Sequence, residues 1–438
     1  MDTERTSVPA VRPALVDACP ALASGSAADA VAGVVPSYVA APSSTDEVSA
    51  LLRTAASFGL SVVPRGAGTG LGWGLPPRTC DLLVDMRVMN QVLEHAAGDL
   101  VARVQAGATI GQVAPVLAAA GQELALDVPA EATVGGVVAT GTAGPRRFRY
   151  GAPRDLLIGI TVVRADGVVA RAGGKVVKNV AGYDLGKLFA GSQGTLGLIT
   201  EATFRLHPLP AAVAWVTAEF GPAERAGAAA AVAAAAGSAL VPTAVELDWP
   251  GGSQRPPRVG VLLEGTGRGV AERAKQMSEL LSSAGGPVST GAVAVAETAP
   301  PRWGVLPDSA VVVRVSFWVS SLGPVLDALA AAGADAGVRP AVSGPAGAGA
   351  LYACLDPGTP EAYAVRFVTA LRERAAGALG SSDGPRGPRG GVAVLAASPA
   401  VLAAAADGAV PGLALMRAVR DQFDPDHRMF PGRMEAGR

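Results

Sequence analysis

The stretch "PRGAGTGLGWG", residues 64–74, has glycine at every second position from its third residue onward and directly follows the apolar run "LSVV". Because glycine has no Cβ and tolerates positive φ, the N–H groups of such a loop can converge on one anion. By itself, the loop is equally compatible with a structural turn. Neither common phosphate motif fits, since no glycine triplet has the dinucleotide spacing, no Gly-Lys pair follows, and Pro76 and Pro77 oppose a helix start. A phosphate site here would therefore belong to a different fold.

The composition indicates a globular protein without a polyanionic partner such as nucleic acid. The chain has 438 residues, 50% of them hydrophobic, which is enough for two domains with their own cores. Its 36 Lys and Arg residues nearly balance 37 Asp and Glu residues, so no strong field favours nucleic acid or an anionic membrane surface. The cysteines, Cys19, Cys80 and Cys354, are scattered along the chain. They fit a reducing compartment better than a disulfide framework, and they are too few for an iron–sulfur cluster.

The N-terminal stretch and the most apolar run both favour a cytoplasmic location. "MDTERTSVPAVRP" is acidic and polar where a secretory signal would be basic and then apolar. The run at 226–242 is mostly alanine and ends in Gly and Pro, so it suits a helix packed through small side chains better than a membrane span. We therefore expect a cytoplasmic protein, which partner proteins could hold at a membrane surface.

The first two hundred residues alternate helical and strand patterns. "PSSTDEVSALLRTAASFG" has a Ser/Thr cap, an acidic first turn and helical apolar spacing, which together predict a helix. Short strands are predicted for "LSVVP", "CDLLVDM" and "LVARVQAG", and a further helix for "IGQVAPVLAAAG". A second stretch poor in large side chains follows at 129–151, and Asp166-Gly167 marks the turn of a hairpin. These patterns predict a mixed α and β domain up to about residue 210.

After Pro210 the chain becomes Ala-rich and alternates long helical patterns with strand patterns. Helices are expected at 222–236, 268–284, 322–332 and 360–377. The alternation predicts an antiparallel sheet covered by helices, and it is compatible with two similar halves. The Gly- and Pro-rich "GSSDGPRGPRGG", 380–391, predicts a loop. The expected fold class is α+β.

Four segments together resemble the FAD-binding flavoproteins of the vanillyl-alcohol-oxidase, or PCMH, type: "PRGAGTGLGWG", "ATVGGVVATGTAGPRR", "KNVAGYDLGKLFAGSQGTLGLITEATFRLHPLP" and "FDPDHRMFPGRM". Within this superfamily, "AGPRR", "GAPRD" and "GGKVVKNVAGYDL" are most similar to the smaller FAD-binding subunits of bacterial glycolate oxidases. The resemblance covers about 40–210 and 412–434. It implies a two-subdomain FAD-binding domain at 1–210, an α+β cap domain at 211–408, and a C-terminal segment at 409–438 that returns to the FAD-binding domain.

The resemblance also implies which residues hold FAD. In the family, the first glycine loop wraps the FAD pyrophosphate, while the second Gly/Thr stretch and a later strand edge flank the cofactor. Main-chain donors in a dry cleft can hold both phosphate charges through charge-assisted hydrogen bonds. Thr69 stands where some relatives carry the His that attaches FAD covalently, so a non-covalent cofactor is expected, and Phe430 stands where Asn is common. The implied cofactor residues are Pro64, Arg65, Gly66, Ala67, Gly68, Thr69, Gly70, Pro129, Thr133, Val134, Gly135, Gly136, Gly141, Thr142, Gly144, Gly194, Thr195, Gly197, Leu198 and Ile199.

The candidate catalytic residues are Arg314 and His427. Oxidation of a 2-hydroxy acid at a flavin needs a base for the hydroxyl proton and a cation for the carboxylate. Arg314 interrupts the apolar run "AVVVRVSFWV", where a buried guanidinium would need a partner or a ligand. An outward position on an alternating strand remains an equal alternative. His427 lies in the tail beside the implied flavin.

No metal site is predicted. Related D-2-hydroxy acid dehydrogenases carry a His-rich metal cluster in the cap domain, but the histidines of this chain, His95, His207 and His427, are far apart and lack metal-ligand spacing. No nicotinamide fingerprint is present either, so electrons from a reduced flavin must pass to oxygen or to another chain.

The resemblance implies an assembly with a larger flavoprotein subunit and an iron–sulfur subunit. The first hypothesis is therefore an FAD-binding, electron-relaying subunit of a glycolate (2-hydroxy acid) oxidase or dehydrogenase complex. The alternative is a self-sufficient FAD-dependent oxidase or dehydrogenase of another alcohol or hydroxy acid. Lys178, Asn179, Tyr183 and Asp184 belong to the subunit-like signature and have no assigned role.

Overall fold

A computed structural model of the protein describes residues 8–175, 183–221, 224–250, 256–284, 293–306, 308–379, 390–405 and 412–433. Lys178 and Asn179 lie outside the described residues, as does all but the end of the loop predicted at 380–391. The described parts of Met1–Ala143, Ala152–Leu209 and Gly412–Glu435 form one compact unit, and those of Gly144–Gly151 and Pro210–Pro411 form a second. The assignment of these units as FAD-binding and cap domains stays a prediction.

The strands are β1 (Leu22–Ser24), β2 (Tyr38–Ala40), β3 (Val62–Arg65), β4 (Leu82–Asp85), β5 (Val92–Ala96), β6 (Val101–Gln105), β7 (Gln122–Glu123), β8 (Leu157–Val163), β9 (Val169–Gly173), β10 (Leu198–Arg205), β11 (His207–Pro208), β12 (Ala212–Glu219), β13 (Ala244–Trp249), β14 (Arg258–Gly265), β15 (Val293–Ala296), β16 (Val311–Ser316), β17 (Ala341–Gly344), β18 (Ala350–Leu355) and β19 (Gly391–Ala396).

The helices are α1 (Val8–Ala18), α2 (Thr45–Ser57), α3 (Ile110–Ala118), α4 (Val134–Thr140), α5 (Arg147–Tyr150), α6 (Pro153–Leu156), α7 (Leu185–Phe189), α8 (Arg225–Ala236), α9 (Gly267–Ala284), α10 (Leu322–Ala336), α11 (Glu361–Leu379), α12 (Pro399–Ala405) and α13 (Leu413–Phe423). No helix among the described residues is long and apolar enough to cross a membrane.

The first unit begins with a four-stranded sheet in the order β1-β2-β4-β3, in which β4 runs parallel to both β2 and β3. The predicted helix at its face is confirmed as α2. Ser44 caps it by accepting a hydrogen bond from the Glu47 N–H at 3.2 Å. Its apolar stripe, including Leu51 and Leu52, is fully buried in the core. The sheet thereby holds the end of β3 rigidly, at the point where the glycine loop begins.

A five-stranded antiparallel sheet, in the order β5-β6-β10-β8-β9, forms the rest of the first unit's core. Helices α3 and α4 contribute apolar residues to the same core. The predicted hairpin is confirmed: Val163 pairs with Val169, and Gly167 takes φ 81° in the connecting turn. The chain that enters β10 brings Gly194 close to Pro64, at the start of the glycine loop.

The second unit is an eight-stranded antiparallel sheet in the order β15-β12-β14-β13-β17-β18-β16-β19. Along the chain, the succession of elements β-α-β-β-α-β occurs twice in this unit, from β12 to β15 and from β16 to β19. Within each half, the strands lie in the spatial order fourth, first, third, second, and the halves meet where β13 pairs with β17. The prediction of a helix-covered antiparallel sheet is confirmed. Strands β13, β15 and β17 were not predicted, because they are short or lack a clear alternation of apolar and polar residues.

Residues 144–151 belong to the second unit although they lie within the second Gly-rich stretch. The Tyr150 hydroxyl donates to Glu264 Oε2 at 2.7 Å, and the Arg146 guanidinium lies 3.6 Å from Glu264 Oε1. Glu264 itself is buried on β14. Because a buried carboxylate needs partners, this pair of contacts anchors the segment to the second unit's sheet.

The C-terminal tail is paired with β3 inside the first unit. The Val62 N–H donates to the Arg428 carbonyl at 2.8 Å, and the Phe430 N–H donates to the Val62 carbonyl at 2.9 Å. The fully buried Asp424 carboxylate accepts hydrogen bonds from the N–H groups of Arg428 (3.0 Å) and Met429 (2.7 Å). These contacts fix the tail beside the glycine loop.

Replacing Asp424 with Asn should lower the free energy of unfolding by about 1–3 kcal/mol, because an amide presents one acceptor oxygen and turns an N–H₂ towards the second backbone donor. Urea unfolding of the apoprotein measures this loss. Asp421→Asn, at a half-exposed carboxylate of the same segment, is the control and should shift stability by no more than about 0.5 kcal/mol. Equal stability of the two variants would contradict the anchoring role of Asp424.

Candidate functional site

The first unit contains a cleft between the glycine loop, residues 66–70, and helix α4. An adjoining hollow shares several of the cleft's walls. The cleft is lined by Pro64, Gly66, Ala67, Gly68, Thr69, Gly70, Leu71, Thr133, Gly136, Ala139, Thr140, Gln193, Gly194, Phe430 and Arg433. The hollow adds Met86, Ala106, Gly135, Gly197 and Ile199. The structure therefore brings together most of the predicted cofactor residues from three separate stretches of sequence.

The remaining predicted cofactor residues line neither the cleft nor the hollow: Arg65, Pro129, Val134, Gly141, Thr142, Gly144, Thr195 and Leu198. Val134, Thr195 and Leu198 are buried in the first unit. Gly144 belongs to the second unit. Direct contact between these eight residues and FAD stays a prediction.

The glycine loop and helix α4 approach so closely that two loop positions have no room for a side chain. A Cβ on Gly66 would lie 2.0 Å from Thr133 Oγ1, and a Cβ on Gly70 would lie 2.7 Å from Thr140 Cγ2. Both distances are shorter than any van der Waals contact, so a larger residue would push the two segments apart. Packing between protein segments therefore explains these two glycines in part, and it also gives the cleft its shape.

Helix α4 forms in a sequence with two adjacent glycines because both of its ends are capped. Thr133 Oγ1 accepts a hydrogen bond from the Gly136 N–H at 3.3 Å, and Gly141 closes the helix with φ 67°. The N–H groups of Val134 and Gly135 donate to the carbonyls of Ala108 and Ala106, at 2.8 and 2.7 Å. These two amides are thus already used within the protein, so at this end of the cleft the helix offers side chains and close packing rather than main-chain donors.

The glycine loop, in contrast, keeps its donors available. Within the described parts of the chain, the N–H groups of residues 66–70 donate to no protein acceptor. The loop is shaped instead by bonds that follow it, from Leu71 N–H to the Gly68 carbonyl (3.1 Å) and from Trp73 N–H to the Gly70 carbonyl (3.2 Å). Gly68 takes φ 88°, which a residue with a side chain adopts only with strain. A run of unused amides beside a cleft is the chemistry that a phosphate group requires.

The Arg65 side chain points away from this chemistry. Its guanidinium pairs with Asp29 Oδ1 at 3.1 Å and Asp85 Oδ2 at 2.8 Å. Burial acts to raise the pKa of Asp85, but hydrogen bonds from Arg87 and Arg65 outweigh it and hold the pKa below its usual value. Arg65 is thereby neutralised within the protein. It serves to hold the end of β3 below the loop, and its predicted contact with FAD could involve only the main chain.

Two tail residues, Phe430 and Arg433, complete the cleft, and Arg433 was missed by the sequence reasoning. The Arg433 guanidinium donates to the carbonyls of Gly70 (3.1 Å), Leu71 (3.1 Å) and Leu75 (3.3 Å). It also lies 4.3 Å from the centre of the Phe430 ring. Burial lowers the pKa of Arg433 to about 10. The signal that could have indicated it is a single cation within the short resembling segment "FPGRM".

The two predicted catalytic residues lie outside the cleft lining. His427 is exposed on the tail at φ 54°, where Nδ1 contacts the Arg420 guanidinium and Nε2 lies 3.5 Å from Asp421 Oδ1. Arg314 lies in the second unit on β16, between the fully buried Val313 and Val315. It is half-buried on the opposite face of the strand, and its Nε has no hydrogen-bond partner among the described residues. Their catalytic roles stay predictions.

The residues at the cleft fit an FAD diphosphate. Unused amides, glycine positions without room for side chains and a buried guanidinium occur together on one wall. These groups would hold the phosphates, while the adjoining hollow, lined by small and apolar residues, suits a less polar part of the cofactor. Among the described residues, no group of three or more His, Cys, Asp or Glu side chains is placed to hold a metal ion.

Comparison with known proteins agrees with this interpretation. Residues 36–173 match the family model of an FAD binding domain. The chain is 38% identical to glycolate oxidase subunit GlcD of Bacillus subtilis (strain 168) over 178 residues, which make up 40% of this chain and 38% of that protein. It is also 38% identical to D-lactate dehydrogenase of Archaeoglobus fulgidus over 171 residues, 39% of this chain and 38% of that protein. The solved structure of chitooligosaccharide oxidase has the same fold, with a TM-score of 0.68 at 17% identity over 98% of this chain and 99% of the other.

The protein therefore contains an FAD-binding domain, FAD is its cofactor, and the predicted α+β, PCMH-type fold is confirmed. More narrowly, the matched region is similar to that of a bacterial glycolate oxidase subunit. The alignments span 38% of the length of each of these two relatives.

Gly66→Ala should weaken FAD binding at least about tenfold, because the added methyl group forces the loop away from Thr133 and displaces its amides. Quenching of flavin fluorescence during titration of the apoprotein measures the dissociation constant. Gly72→Ala is a matched control, since a Cβ at Gly72 would meet nothing within 4 Å and its φ is not positive. If both variants bind FAD as the wild type does, close packing of the loop is not required for the site.

Proposed function

We propose that this chain is an FAD-dependent oxidoreductase acting on the CH–OH group of a small 2-hydroxy acid, with glycolate as the first candidate. We further propose that it works as the FAD-binding subunit of a complex, passing electrons from the flavin to a partner subunit. The single observation that carries the proposal is the cleft, which is lined by the glycine loop, helix α4 and the chain that enters β10. It occurs in a chain that is similar in part to hydroxy acid oxidoreductases.

The residues of the first unit would bind and orient the cofactor. When bound, FAD would supply the acceptor for the hydride, and with it the electron pair, that leaves the substrate carbon. The glycine-loop amides would hold the diphosphate, and the Arg65–Asp85 pair keeps the loop's starting point fixed. Close packing at Gly66 and Gly70 would keep the loop in place against Thr133 and Thr140. None of these groups needs to titrate near neutral pH.

A carboxylate anchor is proposed at Arg314. The paired positions Arg258, Asp248, Ser343, Tyr352 and Arg314 form one line across five neighbouring strands of the second unit's sheet. Their face is opposite to the one that packs against helices, because at least one strand neighbour of each of them is buried in the helix-covered core. The Arg314 Nε has no hydrogen-bond partner among the described residues, so it can donate a hydrogen bond to a substrate carboxylate. His427 stays the proposed proton acceptor.

Electron transfer to a partner is proposed because the chain has few redox groups of its own. Its three cysteines are free and buried, and desolvation raises the pKa of Cys80 to about 12, which keeps that thiol protonated. The partners proposed are a larger flavoprotein subunit and an iron–sulfur subunit. A self-sufficient oxidase or dehydrogenase is the second candidate, favoured by the match to chitooligosaccharide oxidase over almost the whole length of both chains.

Visible spectra of the purified chain test the proposal. We expect a bound, non-covalent flavin that acid precipitation releases, slow bleaching by anaerobic glycolate or D-lactate, and rapid bleaching once the partner subunits are co-purified. Rapid glycolate-dependent dye reduction by the chain alone would support the self-sufficient candidate instead. Failure of glycolate, lactate and other 2-hydroxy acids to bleach the flavin in either preparation would overturn both.

Arg314→Ala should raise KM for the 2-hydroxy acid in the assembled enzyme by about 10- to 100-fold, because the substrate carboxylate loses one charge-assisted hydrogen bond. The dissociation constant of FAD should stay unchanged. Arg268→Ala, at an exposed arginine on α9 of the same unit, is the control and should leave KM unaltered. A normal KM in Arg314→Ala assigns this arginine to the solvated face of the sheet.

A further inference from the structure

Arg433 is the feature of the cleft that the proposed function leaves unexplained. It is 7% exposed, lines the cleft, and lies at the end of the tail that pairs with β3. Its hydrogen bonds are made to three neutral carbonyls, those of Gly70, Leu71 and Leu75. Its Nε is buried and has no hydrogen-bond partner among the described residues. A full positive charge is therefore held at the glycine loop by uncharged groups.

Comparison with the half-buried Arg65 and the buried Arg428 of the first unit makes this arrangement clear. Arg65 pairs with Asp29 and Asp85 at 3.1 and 2.8 Å. Arg428, on the same tail as Arg433, lies 3.7 Å from Asp426 Oδ2 and donates to the Ala165 carbonyl at 2.6 Å. Arg433, in contrast, has no carboxylate within ion-pair distance in the described part of the chain. Burying a charge without a counter-ion is unfavourable unless an anion occupies the neighbouring space.

The neighbouring space is the cleft itself, and the glycine loop that lines it together with Arg433 favours an anion. The amides of residues 66–70 are unused, and Arg433 contacts the carbonyl of the last residue of that loop. A cation and a row of N–H donors therefore lie along one side of the cleft. Main-chain dipoles alone provide partial charges, whereas a diphosphate carries full negative charges that a buried guanidinium balances more effectively.

We infer that Arg433 is a cofactor-binding residue that supplies the counter-charge for the FAD diphosphate. This departs from the expectation that main-chain donors alone hold the phosphates. It rests on FAD binding, and it does not depend on the substrate or the partners in the proposed function. The competing role is purely positional: Arg433 would only fix the three loop carbonyls through its hydrogen bonds.

Two substitutions separate charge from position. Arg433→Gln removes the charge but keeps N–H donors for the loop carbonyls, and Arg433→Lys keeps the charge but loses the planar fork. The measurement is the dissociation constant of FAD by flavin fluorescence, with ADP displacement of FAD as a second probe that carries the diphosphate. Arg428→Gln is the matched control, because it removes an equally buried guanidinium of the same tail that does not line the cleft.

We expect Arg433→Gln to weaken FAD and ADP binding at least about tenfold, and Arg433→Lys to stay within about threefold of the wild type. Arg428→Gln should bind both ligands as the wild type does once folding is verified by urea unfolding. The opposite order, with Gln tolerated and Lys weakened, would overturn the inference. If Arg433→Gln does not fold, the Lys variant decides alone, and a tenfold loss there overturns it. Since no hydroxy acid is used, these outcomes leave the proposed substrate and complex untouched, whereas a wild-type chain that fails to bind FAD would contradict both.

Discussion

The site depends on a contact that only a residue without a side chain permits. Gly66 and Gly70 allow the loop after β3 to meet Thr133 and Thr140 of the α4 segment at distances where a Cβ would overlap. The same loop lines the cleft, and its amides donate to no acceptor among the described residues. Packing and ligand binding are therefore not alternative explanations for these glycines. The packing creates the surface at which we propose that the cofactor binds.

Charge in the first unit is arranged around this contact. At the start of the loop, Arg65 is neutralised by Asp29 and Asp85, which stiffens the end of β3 without adding net charge to the cleft. At the other end of the loop, the C-terminal tail places Arg433 beside the Gly70 carbonyl. The described residues provide no carboxylate as a counter-charge for this guanidinium. The tail is held in turn by the buried Asp424. The proposed cofactor site thus depends on a segment more than three hundred residues away from the glycine loop in sequence.

The two faces of the second unit's sheet carry different kinds of side chain. One face packs against α8, α9, α10 and α11, and its strand residues form a large apolar core. The other face carries the line of polar side chains that ends near Arg314. Two similar β-α-β-β-α-β halves generate this wide sheet, because each alone offers only four strands.

The local patterns of the sequence were sufficient for much of the fold. The capped helix α2, the hairpin between β8 and β9, and the alternating helices and strands after Pro210 follow from rules that act over a few residues. Helix α4 could not be predicted from its glycine-rich sequence. It forms because Thr133 and Gly141 cap it and its own Val134, Val137 and Val138 are buried. Capping is local, but burial depends on strands that lie elsewhere in the chain.

The sequence by itself determined that a loop rich in glycine follows a strand and that most residues near the cleft are small. Only the tertiary structure decided that the Arg65 side chain turns towards two carboxylates, that residues 144–151 join the second unit, and that Arg433 reaches the loop. The physical reason is that glycine and capping preferences act through neighbouring backbone atoms. The partner of a long charged side chain, in contrast, is fixed by whichever distant segment the fold brings within hydrogen-bonding distance.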